Sequence, residues 1–114
     1  MRSRFLHLAA FLALLLGAGA ARAASFPCER ARAPDERAVC ADRALNDQDV
    51  RVAVMYDFLR GLHAMGGRGA IIDDQRAWLA QRRRCGADRR CLSAAYARRV
   101  ASLRRDYDAL PKPL

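Results

Sequence analysis

The chain has 114 residues, of which 53% are hydrophobic and 29% are charged, and its formal net charge at pH 7 is +9. This length fits one domain. Runs of β-branched residues and Asn-Gly or Asp-Gly hairpin turns are missing, which excludes a fold rich in β-strands and favours an all-α protein.

An export signal is predicted over residues 1–24. Two arginines in the first four residues precede an almost unbroken apolar run at 5–20, which contains no acidic residue. Ala21-Arg22-Ala23 then offers small residues at the two positions that a signal peptidase reads, so we expect cleavage after Ala23 or Ala24. A membrane anchor is the alternative, but a run of about 16 apolar residues is shorter than the roughly 20 that span a bilayer. We therefore expect a periplasmic or secreted protein without a stable membrane anchor.

Charge narrows the choice of partners. Removal of the leader takes away three arginines, which lowers the net charge from +9 to +6, and Lys112 is the only lysine in the chain. A basic exported protein suits acidic partners or anionic envelope polymers, although heavy use of arginine could instead reflect genome composition. Nucleic acid is not expected as a partner, because export separates the chain from it and no nucleic-acid-binding module is visible.

Residues 25–110 predict one domain that begins with two helices. Pro34 suits a first helical position and is followed by two acidic residues, which predicts a short helix to about Cys40. A longer second helix is predicted from Asp42, as its N-cap, to about Met65. Its buried stripe, at steps of three and four residues, comprises Leu45, Asp49, Val52, Tyr56 and Leu59.

Glycines predict a break before the remaining two helices. Gly66-Gly67-Arg68-Gly69 is typical of a mobile loop, and a third helix is predicted from about Ala70 to Arg84. A fourth helix opens near Asp88 and ends before Pro111, with residues 111–114 as a disordered tail. The third helix has the stripe Ile71, Gln75, Trp78, Arg82 and Cys85, and the fourth has Leu92, Tyr96, Arg99 or Val100, Leu103, Tyr107 and Leu110. Short connections favour antiparallel neighbours in a small helical bundle.

Four cysteines in a short exported chain indicate disulfide bonds. Four thiols allow three pairings. We favour Cys85 with Cys91, which flank a predicted turn, and Cys28 with Cys40, which would tie the N-terminal segment to the first helix. Zinc is the rival use, but spacings of 12 and 6 residues and a single histidine after the leader, His63, do not suit it. We expect no metal and no other cofactor.

Polar residues interrupt the predicted apolar stripes. Asp49 lies in the second helix, and Gln75 and Arg82 lie on either side of Trp78 in the third. A buried carboxylate must be paired. We therefore predict a buried network in which Asp49 bonds to Arg82 or Gln75 and Trp78 covers the pair.

The chain resembles the LprI N-terminal-like family over nearly all of residues 25–110. The first half carries Phe26-Pro27-Cys28, Glu36, Val39-Cys40, Leu45, Asp49 and Tyr56, and the second half carries Gln75-Arg76-Ala77-Trp78-Leu79, Arg82, Cys85, Cys91-Leu92, Tyr96, Arg99 and Leu103. The resemblance implies a small exported helical domain, and it implies inhibition of lysozyme as the activity. The matching residues are mainly cysteines and core positions, so they carry the fold better than the activity.

Two kinds of binding protein are consistent with these residues. A lysozyme inhibitor could place the guanidinium of Arg68, on its predicted loop, between the two carboxylates of the lysozyme cleft. A module for anionic envelope material could instead use the arginines around the predicted turn between the third and fourth helices, which are Arg83, Arg84, Arg89 and Arg90. An enzyme is not expected, because no nucleophile motif, phosphate loop or metalloprotease motif is present.

Overall fold

The computed structural model describes residues 24–111, and over that range it contains four α-helices and no β-strand. The helices are α1 (Pro34–Ala41), α2 (Arg43–Leu62), α3 (Met65–Arg84) and α4 (Arg89–Asp108), and a short 3₁₀ turn at Cys28–Arg30 precedes them. The predicted all-α fold of one short and three longer helices is therefore confirmed. The predicted leader lies outside the described residues except for Ala24, and the predicted tail does so except for Pro111.

Two aspartates fix the starts of the long helices α2 and α4. The Asp42 side chain accepts a hydrogen bond from the backbone N–H of Leu45 at 3.1 Å, and Asp88 accepts one from Cys91 at 2.9 Å. Each bond satisfies a backbone N–H in the first helical turn that has no partner within the helix. Both helices therefore begin where their N-cap residues predicted.

The prediction of a glycine-rich mobile loop is wrong. Helix α2 ends at Leu62, only His63 and Ala64 link it to α3, and all three loop glycines lie in the first turn and a half of α3. Among the described glycines only Gly86 has a positive φ, at 55°, so the glycines of α3 have ordinary helical backbone. Each helical glycine costs about 1 kcal/mol. Burial of Ile71 and Trp78 farther along the same helix offsets this cost.

Alanine at these glycines is expected to change stability with opposite signs. A methyl group at Gly66 or Gly69 would meet no atom within 4 Å, whereas one at Gly67 would lie 2.7 Å from Nδ1 of His63. Gly66→Ala and Gly69→Ala should each stabilise the protein by about 0.5–1 kcal/mol. Gly67→Ala should stabilise the protein by less, or destabilise it, because the side chain of His63 must move to make room for the methyl group. Urea unfolding curves of the three variants test this, and equal gains at all three positions would contradict the packing of His63.

The three long helices pack so that α3 runs antiparallel to both α2 and α4. The starts of α2 and α4 meet where Asp42 pairs with Arg89, and their middle parts meet where Asp49 bonds to Tyr96, so these two helices are parallel. The apolar core between the helices comprises Val39, Leu45, Val52, Leu59, Ile71, Trp78, Leu92, Tyr96 and Leu103. Within residues 24–111, no helix is both long and apolar enough to cross a membrane.

Candidate functional site

Two disulfide bonds close short loops, one at the N-terminal segment and one at the α3–α4 turn. Cys28 pairs with Cys40 at a Cα–Cα distance of 5.8 Å, which ties the N-terminal segment to α1. Cys85 pairs with Cys91 at 5.5 Å, which closes the turn between α3 and α4. These are the two pairs that the sequence favoured, and the described residues contain no free cysteine.

A buried polar cluster joins α1, α2, α3 and α4 around the guanidinium of Arg82. Its Nε donates to Oδ2 of Asp35 at 2.9 Å, and its Nη1 donates to Oδ1 of Asp49 at 3.3 Å. The hydroxyl of Tyr96 donates to the same Asp49 oxygen at 2.8 Å. We call Asp35, Asp49, Arg82 and Tyr96 the polar cluster, and its residues are at most 6% exposed. One cation thus bridges two carboxylates on different helices.

Asp35 is a cluster residue that sequence reasoning missed. Its position in the first turn of α1 indicated an acid placed for the helix dipole, yet its side chain is 1% exposed and bonds to Arg82. The signal was the spacing of four residues between Asp35 and Val39, which are both buried. This spacing places the carboxylate on the face of α1 that meets the core.

Of the two partners predicted for Asp49, the structure has Arg82 and not Gln75. The side-chain oxygen of Gln75 accepts from Nε of Arg99 at 2.9 Å, so Gln75 does not bond to Asp49. The indole of Trp78 donates to the backbone carbonyl of Ala95 at 3.0 Å. Its ring still lies against Arg82, with 5.8 Å between the guanidinium carbon and the ring centroid, and Phe26 covers that guanidinium at 5.5 Å. The predicted cover exists, with two aromatic rings instead of one.

The polar cluster carries more negative than positive charge when its carboxylates are ionised. Burial raises the pKa of the Tyr96 hydroxyl, and the neighbouring charge of Asp49 raises it further, so this hydroxyl stays neutral and donates. Burial alone would lower the pKa of Arg82, but its interactions with Tyr96 and Asp35 outweigh burial and raise it. The Oδ1 atom of Asp35 is buried and has no hydrogen-bond partner. Two carboxylates therefore share one side-chain cation.

The predicted partner-binding arginines lie at opposite ends of the bundle. Arg83 and Arg84 end α3, and Arg90 follows the turn that the second disulfide closes, whereas Arg68 lies in the first turn of α3. The rise along a helix separates Arg68 from Arg84 by about 24 Å. Arg68 is also not a free loop side chain, because its Nε donates to the backbone carbonyl of Arg60 at 3.2 Å.

Arg89 differs from its neighbours because it already has an acidic partner. Its guanidinium bonds to Asp42, and this bond lowers the pKa of that carboxyl below its ordinary value, with the backbone N–H of Leu45 as the next contribution. Arg83, Arg84 and Arg90 are exposed, and none of them pairs with an acidic side chain within residues 24–111. We call these three residues the arginine end.

An exposed apolar surface was also missed by sequence reasoning. It consists of Val54, Phe58 and Leu62 on α2, Met65 at the start of α3 and Tyr107 in the last turn of α4. Their exposed fractions are 63%, 58%, 49%, 87% and 45% in that order. The rings of Phe58 and Tyr107 lie 6.4 Å apart, which joins the two helices in this surface. We call these five residues the apolar face. The four-residue spacing of Val54, Phe58 and Leu62 was the readable signal.

The described residues offer no metal centre, since no group of three or more His, Cys, Asp or Glu side chains within 24–111 is placed to hold an ion. The chain matches no protein-family model, no curated protein and no solved structure. The candidate sites are therefore the polar cluster inside the bundle and two surfaces, the apolar face and the arginine end. Because its carboxylates are at most 3% exposed, the polar cluster is placed to hold the helices together and not to meet a substrate.

Proposed function

We propose that this protein is an exported binding protein that inhibits lysozyme, as its resemblance to the LprI N-terminal-like family implies. The observation that supports binding is the apolar face, on which the neighbouring rings of Phe58 and Tyr107 are both exposed. Small monomeric proteins seldom expose contiguous apolar surface without using it. Aromatic residues and methionine are enriched where proteins bind each other.

The character of this surface suits a basic target. Many lysozymes carry a net positive charge, and the exported chain would be basic as well, so long-range charge would oppose their encounter. A complex held by apolar contact does not depend on opposite charge. The partner contact in this proposal therefore moves from Arg68, which the fold holds in a helix, to Phe58 and its neighbours on the apolar face.

A lysis-protection assay tests this function. The oxidised, exported protein is added in increasing amounts to each of several lysozymes acting on bacterial cell walls, and the rate of lysis is followed. We expect dose-dependent protection against at least one lysozyme. Phe58→Asp should weaken protection by at least about tenfold, because loss of a central aromatic contact costs 2 kcal/mol or more at binding hot spots.

Matched controls separate the surfaces. Arg83→Asp introduces the same acidic residue at the arginine end and should leave protection within about twofold of the unaltered protein. Arg68→Ala, which removes the side chain first expected to enter the cleft, should also leave it unchanged. No protection at a large molar excess over every lysozyme tested would overturn the proposed inhibition.

The arginine end supports a second candidate function, which is binding of anionic envelope material. Arg84 and Arg90 each precede a cysteine of the same disulfide, whose Cα atoms are 5.5 Å apart. The bond thus holds unpaired guanidinium groups at one end of the molecule, where phosphate or carboxylate groups of a polymer could bind.

Salt dependence distinguishes the two candidates. Binding of a polyanion such as a teichoic acid or a lipopolysaccharide would weaken steeply between low and physiological salt, because exposed charges are screened within about 8–10 Å. Loss of Arg83, Arg84 and Arg90 together should remove that binding and leave protection against lysozyme unchanged. Salt-independent polymer binding, or binding that survives the triple substitution, would exclude the arginine end as the site.

A further inference from the structure

The N-terminal segment reaches the polar cluster directly. The backbone N–H of Ser25 donates to Oδ2 of Asp49 at 2.7 Å, which is the oxygen that neither Arg82 nor Tyr96 contacts. Ala24 packs against the apolar core, and Phe26 lies over the guanidinium of Arg82. The disulfide at Cys28 holds this segment in place. The start of the described chain is therefore part of the packed domain.

The position of this segment matters because the leader is predicted to be cleaved within it, directly before Ala24 or Ser25. The peptidase reaction adds water to the bond after Ala23 or Ala24, so the hydroxyl joins the carbonyl carbon of the departing leader and a hydrogen joins the nitrogen of the next residue. The new α-amine takes a further proton from solvent and becomes a cation. Cleavage after Ala24 would place that cation on the Ser25 nitrogen, 2.7 Å from Asp49. Cleavage after Ala23 would place it one backbone nitrogen earlier, within roughly 6 Å of the same oxygen.

The polar cluster lacks a cation. Its two buried carboxylates, Asp35 and Asp49, share only the guanidinium of Arg82. A buried charge without a counter-charge is costly, and an opposite charge within about 4–6 Å stabilises the ionised form. Besides the cluster itself, the cavity of about 660 Å³ beside Ser25 is lined by two acidic side chains, Glu36 and Asp57, and by three arginines, Arg60, Arg76 and Arg83. Arg60 pairs with Asp57, Arg76 pairs with Asp73, and Arg83 is exposed. None of these three arginines forms an ion pair with Asp35 or Asp49.

We propose that removal of the leader creates a functional group of the fold, in which the new α-ammonium at Ala24 or Ser25 forms an ion pair with the buried carboxylate of Asp49. The leader junction is then a processing site whose product completes the polar cluster. The uncleaved chain offers only a neutral amide N–H at this point. This inference rests on the export in the proposed function, and it is independent of which target the protein binds.

The chain is well suited to a direct test, because Lys112 is its only lysine. The full chain with its leader is expressed for export, and the mass of the purified product gives its first residue. Reductive methylation with ¹³C-formaldehyde then labels two amines, the α-amine and Lys112, whose NMR signals are followed against pH. The unfolded α-amine in urea should titrate at about 7.7–8.0, and the folded one should titrate about one pH unit higher.

Two aspartates on the same helix provide the matched variants. With Asp49→Asn, the α-amine of the folded protein should titrate at the same pH as it does in urea. Asp47→Asn removes the same charge from an exposed position of α2, so it should leave the shift of the α-amine intact. If Asp49→Asn does not fold, the comparison of folded and unfolded unaltered protein still decides the matter.

The outcomes separate this inference from the proposed export. A product cleaved after Ala23 or Ala24 whose α-amine titrates alike folded and unfolded overturns the ion pair alone. If Asp47→Asn and Asp49→Asn change the titration of the α-amine equally, the ion pair is also overturned. An uncleaved leader overturns both the processing site and the export on which it rests, whereas a first residue other than Ala24 or Ser25 overturns the processing site alone.

Discussion

Arg82→Ala is expected to lower the free energy of unfolding by about 3–5 kcal/mol, since removal of one partner from a buried ion pair leaves an uncompensated charge. In this protein the loss would leave two carboxylates, Asp35 and Asp49, which are 1% and 3% exposed. Arg82 donates to both of them and also lies against the rings of Trp78 and Phe26. No other side chain of the described residues makes ion pairs to two helices at once.

Urea unfolding of the oxidised protein measures this effect, and the next residue in the chain supplies the control. Arg83→Ala removes an equal charge from the same turn of α3, but from an exposed side chain without an acidic partner. Its effect should stay within about 0.5 kcal/mol. A loss below about 1 kcal/mol for Arg82→Ala would show that the ion pairs behave as exposed ones do, which contradicts a buried cluster.

The features that could be predicted from the sequence are those fixed by neighbouring residues. Asp42 and Asp88 mark the helix starts because an N-cap acts on a backbone N–H only three residues away. The apolar stripes followed from helical spacing, and the role of Arg82 followed from its place in such a stripe beside Trp78. Each of these inferences needs only one helix.

The features that could not be predicted depend on how separate helices meet. That Arg82 reaches Asp35, 47 residues earlier in the chain, depends on where α1 crosses α3. Gln75 was an equally good partner for Asp49 by sequence, and the rotation of α3 directs it to Arg99 instead. The apolar face is an intermediate case, because the four-residue spacing of Val54, Phe58 and Leu62 places them on one side of α2, but the exposure of that side depends on where the partner helices pack.

The error at Gly66-Gly67-Arg68-Gly69 has a different physical origin. Helix propensity disfavours glycine for entropic reasons, and it indicated a loop. In the fold, Arg68 donates its backbone N–H to Ala64 at 2.9 Å and its side chain to Arg60, which holds the first turn of α3. Tertiary contacts therefore override a local preference worth only a few kcal/mol.

Loss of both disulfides is expected to unfold the protein near 37 °C. The bonds close loops with sequence separations of 12 and 6 residues, and the chain-entropy treatment gives roughly 2–3 kcal/mol for each. Their joint contribution of about 5 kcal/mol equals the lower end of the 5–15 kcal/mol that a whole domain possesses. Thermal unfolding followed by circular dichroism, with and without reductant, should show a cooperative transition only in the oxidised protein, or one that is lowered by tens of degrees after reduction.

Paired replacements separate the two bonds and test why each matters. Cys85→Ala with Cys91→Ala removes the bond at the α3–α4 turn, which Asp88 still caps, so a loss of about 2 kcal/mol is expected. Cys28→Ala with Cys40→Ala should cost more, because it opens the longer loop and also frees the segment that carries the Ser25 bond to Asp49. Intact mass verifies the number of free thiols in each sample. A protein with four free thiols that melts as cooperatively, and at the same temperature, as the oxidised protein would contradict a fold held together by these bonds.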